Sequence, residues 1–155
     1  MGQGGSPHSL QLTIMKNHEA ISTLNQLLGV LCRSLPAYLS DARPWSRLGS
    51  WKTQTSIDRL VADLRMYARR VAEEIDSLGG CPDSCVFPAE FTAKNDLAVQ
   101  FLLGEIIDYL DRDAASIERI AARLENIPAA HALAEEILGN VKGHVDVLKK
   151  IVNDE

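Results

Sequence analysis

Four runs of apolar residues, spaced three and four apart over several helical turns each, constrain this chain more than any other feature. Ile21, Leu24, Leu28, Leu31 and Leu35 form the first, and Leu60, Leu64, Tyr67, Val71, Ile75 and Leu78 the second. Val99, Leu103, Ile106, Leu110, Ile117, Ile120 and Leu124 form the third, and Leu133, Ile137, Val141, His144, Leu148 and Ile151 the fourth. That spacing draws one apolar stripe along an α-helix, and no stretch alternates in the way a half-buried strand requires. The stripes predict an all-α chain whose helices bury one face each against the others.

Helix-breaking residues punctuate the stripes. The first helix is expected from about Asn17 to near Ser40, kinked or irregular at Pro36, which lacks a backbone donor and clashes with the preceding turn. Residues 43–50 connect it to a second helix beginning near Trp51 and stopped by Gly79-Gly80, since a left-handed glycine closes the last carbonyls. A helix of that length spans about 42 Å. Residues 79–91 hold Pro82 and Pro88 and no period, and predict a crossover too long for a hairpin. Asn126-Ile127-Pro128 ends the third helix and starts the fourth, because proline is tolerated in a first turn. The Gly- and Ser-rich residues 1–9 are expected to form a disordered lead, and residues 10–155 the bundle. Short outer connections with a long middle one describe an up-down-down-up four-helix bundle, the ferritin-like topology.

Three segments carry a resemblance: LNQLLG at Leu24 to Gly29, AEEIDSLGGCP at Ala72 to Pro82, and GHVDVL at Gly143 to Leu148. In order and spacing they resemble bacterioferritin and, more distantly, the Dps-type mini-ferritins. The resemblance implies a ferritin-like four-helix bundle whose long crossover joins helices two and three. It also implies where a di-iron site would sit, since two irons need a Glu from each of two helices and a Glu-x-x-His from each of the other two. Carried over position by position, those ligands fall on Leu31, on Leu64 and Tyr67, on Leu110, and on Val141 and His144. For the third helix, gapless counting gives Asp108 and apolar periodicity gives Leu110; the periodicity decides for Leu110. The family's haem-binding methionine falls on Arg65, beside Met66. On this reading the fold is kept and the di-iron centre is largely replaced, so no metal, haem or other cofactor is expected. Iron enters only under the alternative, an iron-binding or iron-storing relative whose metal site lies elsewhere. The replaced positions are expected to meet in a buried core, with Tyr38 at the place of a core tyrosine in bacterioferritin.

His144 has two readings: a buried neutral histidine hydrogen-bonded to a tyrosine, Tyr67 being the facing one, or a single metal ligand. CPDSC offers Cys81 and Cys85 as a reversible pair or as ordinary loop thiols, but no second Cys/His pair completes a zinc site. Glu105, Asp108, Asp111 and Asp113 wrap around their helix and read as a solvated face. Arg65, Arg69 and Arg70 read as a solvated or intersubunit face able to pair with Glu73 and Glu74. No nucleophile-base pair, phosphate loop or matched catalytic carboxylates share a face, so an enzyme is not expected.

Composition narrows the function classes. Sixteen Lys and Arg against 21 Asp and Glu leave a net charge of −5, with no positive excess to neutralise a phosphate backbone, so nucleic acid is not expected as a partner. No apolar run reaches the roughly 18 residues of a membrane span, and MGQGGSPHS has neither half of an export leader. Three cysteines in 155 residues favour a reducing compartment, and the cytoplasm is expected. The chain ends soon after Leu148, leaving no room for a fifth helix, and CPDSCVFPAEF leaves little for a crossover helix. A homodimer is therefore expected, paired antiparallel through helices one and two with Trp51 near the interface, acting as an oligomeric or interaction protein toward an unknown protein partner.

Overall fold

The computed structural model describes residues 5–42, 51–84 and 99–154. Its helices, in chain order, are α1 (Pro7–Cys32), α2 (Leu35–Ala42), α3 (Trp51–Ser77), α4 (Val99–Arg123) and α5 (Pro128–Asp154). No strand occurs among the described residues, in line with the apolar spacing.

The first expected helix is two helices, and it starts earlier than Asn17. Ser6 caps α1, its side chain accepting a hydrogen bond from the Ser9 N–H, and Pro7 sits in the first turn where its missing donor costs nothing. Pro7 to Ser9, expected within the disordered lead, are therefore helical, and residues 1–4 lie outside the described residues. At the other end Pro36 breaks the helix instead of kinking it. Its ring opposes the carbonyl of Cys32, where α1 stops. Ser34 then caps a new helix by accepting from the Ala37 N–H at 3.4 Å, so that Pro36 falls in the first turn of α2.

α3 closes as its glycines predict. Gly79 adopts a φ of +83°, its N–H reaching the Asp76 carbonyl and that of Gly80 the Ile75 carbonyl, both at 3.0 Å. Gly80 has a second reason to be glycine: a Cβ there would lie 2.6 Å from the Ile21 side chain of α1. Replacing Gly79 by alanine meets no neighbour but forces a left-handed residue, so Gly79→Ala should cost about 1–2 kcal/mol in urea unfolding.

Asn25 fastens this corner, donating to the Cys81 carbonyl at 3.2 Å and accepting from the Asp83 N–H at 2.9 Å. At the α4–α5 turn Pro128 opens α5 as expected, and the His131 ring nitrogen Nδ1 donates to the Ala121 carbonyl at 2.8 Å. α1 packs on α3 and α4, and α5 packs on the same two, closing a four-membered ring. Asp63 bonded to His144 and Arg70 to Glu136 set α3 antiparallel to α5, Asp111 paired with Lys149 and Ala121 with His131 set α4 antiparallel to α5, and Gly80 lies beside Ile21 of α1. The end of α3 and the start of α4 thus lie at opposite ends of the bundle, which is the up-down-down-up order. One continuous core of leucine, isoleucine, valine and alanine fills the ring.

Candidate functional site

Leu31 of α1, Leu64 and Tyr67 of α3, Leu110 of α4 and Val141 of α5 are all buried. All five belong to the same core, and none is more than 5% exposed. On α4, Leu110 is fully buried while Asp108 is exposed. Tyr38 of α2 packs half-buried against this core. Leu31, Leu64, Leu110 and Val141 supply no oxygen or nitrogen, so four positions that the resemblance assigns to ligands offer only hydrocarbon.

His144 departs from this pattern, and its partner is not the expected tyrosine. Its ring is half-buried on the seam between α3 and α5, with Nε2 2.7 Å from Asp63 Oδ2. Asn140, one turn back on α5, donates to the same oxygen at 3.0 Å, leaving its own Oδ1 buried without a partner. Burial alone would raise the pKa of Asp63. The hydrogen bonds from Asn140 and His144, with the attraction of the imidazole, outweigh that and hold the carboxyl below its ordinary value. Tyr67, one turn along α3, faces Glu136 instead and donates to its Oε1 at 3.1 Å. Burial first, and then this bond to Glu136, raises the phenol pKa. Arg70 reaches the same carboxylate with two nitrogens, at 2.7 and 3.0 Å, and covers the Tyr67 ring at 5.4 Å. Arg70 therefore pairs chiefly across the seam with Glu136, with Glu73 on its own helix adding a weaker attraction. Antiparallel register explains both assignments: residue 63 meets 140 and 144, and residue 70 meets 136. Asp63 and Glu136 carry no signal in the sequence until that register is known.

The remaining candidates are scattered. Arg65 and Met66 are both exposed, away from the core. Cys81 is a free, exposed thiol, so it forms no pair with Cys85, which lies outside the described residues. Cys32, in α1, is disulfide-bonded. In the acidic run Asp108 and Asp111 face solvent, and Asp111 pairs with Lys149 at 3.1 Å. Asp113 does not fit a solvated face: burial, opposed only by Arg112, pushes its carboxyl up to about 7. Among the described residues no three His, Cys, Asp or Glu side chains converge as a metal-binding group. What the seam can do chemically is hold an oriented imidazole on a carboxylate. No helix among the described residues is long and apolar enough to cross a membrane.

No family model matches this sequence, and no curated protein matches it either. Solved structures do. A Dps1 mutant from Mycobacterium smegmatis matches 89% of this chain and 97% of its own, at 19% identity and a TM-score of 0.72. A ferritin-like, diiron-carboxylate protein from Bacillus anthracis matches 88% and 97%, at 19% identity and a TM-score of 0.67. The tetragonal form of Mycobacterium smegmatis Dps matches 87% of this chain and 86% of its own, at 17% identity and a TM-score of 0.66. Five helices, no strand among the described residues, an up-down-down-up ring and these neighbours over most of its length give this chain the ferritin-like helical-bundle fold.

Proposed function

We propose that this protein is a ferritin-like bundle without a di-iron ferroxidase centre inside its four helices, serving as a non-catalytic oligomeric or interaction protein. One observation carries the reading. At the positions where bacterioferritin's ligands would fall, Leu31, Leu64, Leu110 and Val141 are each buried in the bundle's apolar core, and His144 is turned to Asp63 on the seam. Two irons need bridging carboxylates plus imidazoles, and hydrocarbon provides neither. Haem has no better footing, with Arg65 at the methionine position and on the surface. The test is metal content after aerobic loading of the full chain with ferrous salt and removal of unbound metal. The expected result is well under one iron per chain; two irons per chain would overturn the proposal.

The second reading, an iron-binding or iron-storing relative, is favoured by the diiron-carboxylate name of the Bacillus anthracis neighbour. Light scattering on a size-exclusion column separates the two further. A mass near twice 17.0 kDa supports a homodimer, and a shell of 12 or 24 subunits would support storage. Placement in the cytoplasm rests on the small cysteine set; the disulfide at Cys32 weighs toward an oxidising compartment instead. Mapping the thiol state of Cys32 in fractionated host cells decides between them: a reduced Cys32 in the cytosolic fraction supports the cytoplasm.

A further inference from the structure

We propose that the outer face of the α3–α5 pair is the surface on which two copies of this chain dimerise, antiparallel, about a two-fold axis crossing α3 between Asp63 and Met66 and α5 between Asn140 and Gly143. The inference deepens the oligomeric part of the reading above and assigns a face other than α1 with α3.

Steps of seven residues keep one line of a helix surface. Lys52, Arg59, Met66 and Glu73 therefore share a line on α3, and Ala129, Glu136, Gly143 and Lys150 share one on α5. All eight are exposed, and the two lines flank the seam of Asp63, Asn140 and His144. Toward one end the seam opens into a groove of about 380 Å³ where Lys52, Arg59 and Lys150 outnumber Asp154. Toward the other it opens into one of about 370 Å³ where Glu73, Glu74 and Glu136 outnumber Arg70. Met66 stands midway between Arg59 and Glu73, and Gly143 midway between Glu136 and Lys150.

That charge order selects the partner and its direction. Two copies stacked parallel would set basic groove on basic groove. Turned about an axis crossing the middle of both helices, each basic groove meets the acidic groove of the other copy, at both ends of one interface, as a self-complementary two-fold contact requires. The centre is shaped for close approach. Gly143 has open space where a side chain would begin, and Gly139, one turn away, has the same. This face also holds exposed apolar surface: Trp51 is 71% exposed, Val147 44% and Met66 36%. On α1 the exposed apolar side chains, Leu10, Leu12, Ile14 and Met15, lie in its first turns, ahead of the part from Ala20 onward that packs into the core. From Lys52 to Glu73 the face runs about 32 Å, and two helices side by side make it about 20 Å wide. That is roughly 600 Å² per copy before side-chain relief is counted, near the lower bound for a stable interface.

Sedimentation of the full chain across a concentration series, with helical content followed by circular dichroism, tests the assignment. The wild type is expected near twice 17.0 kDa. Gly143→Tyr should keep its helical content and fall to 17.0 kDa, because a Cβ there has open space in the monomer and the side chain grows out toward the partner. Lys52→Glu with Arg59→Glu, and separately Glu73→Lys with Glu74→Lys, should each weaken the dimer by tenfold or more. Mixing those two double variants should restore a dimer, since acidic grooves then face basic ones throughout. A wild type at 17.0 kDa at every concentration, or a dimer or shell indifferent to all of these substitutions, would overturn the proposal. The mass is read without iron, so a failure here is distinct from a failure of the metal-content test.

Discussion

Leu64→Glu should destabilise the protein by about 4 kcal/mol or more, enough to lower the melting temperature by roughly 10 °C or to prevent folding. Leu64 is 3% exposed and lies in the core formed by all four long helices. A carboxylate there would lose its water and gain no partner, because the side chains packed around it are hydrocarbon, and an unpaired buried charge is among the most costly changes a core can suffer. The position is the one at which the ferritin resemblance would place a glutamate held by metal, so the size of the loss reports directly on what surrounds it. Ala62→Glu, exposed on the same helix, should change stability by no more than about 0.5 kcal/mol and controls for helix propensity and net charge. Urea unfolding followed by circular dichroism measures both. If Leu64→Glu proved as stable as Ala62→Glu, the core would have to contain cationic or metal partners that the apolar lining does not provide.

Stability should fall as pH rises from about 4 to about 7, and Asp113→Asn should remove much of that fall. The Asp113 carboxyl is pushed up to about 7 in the folded protein by burial, against an ordinary 3.8. Below both values the folded and unfolded chains carry the proton equally. Between them the folded carboxyl keeps a proton that the unfolded one has released, so rising pH favours the unfolded chain until the folded group ionises near 7. Three units correspond to roughly 4 kcal/mol, and partial solvent access reduces this to about 2–4 kcal/mol at neutral pH. Asp63 works with the opposite sign. Its lowered pKa adds stability above the ordinary carboxylate range, and that contribution is lost as pH falls through its folded value. Unfolding free energies of the wild type and Asp113→Asn across pH 4–8 should therefore diverge with rising pH. Parallel curves would show that Asp113 is solvated in the folded protein.

The sequence by itself determined the helices and their inward faces. The reason is local: a three-and-four spacing has one structural solution, and Pro128 and Gly79 mark ends that only those residues make cheaply. It also determined that Leu31, Leu64, Leu110 and Val141 face inward, because periodicity places a residue on its helix whatever the neighbouring helix is. The start of α1 at Pro7 escaped it, since the stripe thins out before Ala20 and the helix there is held by the Ser6 cap instead of by a core. Only the tertiary structure decided which polar residues meet. His144 takes Asp63, Arg70 takes Glu136, and Asp113 is left in partial burial, because these depend on the register between antiparallel helices far apart in sequence. A shift of one turn, about 5.4 Å, would leave every apolar stripe intact and exchange every one of those partners.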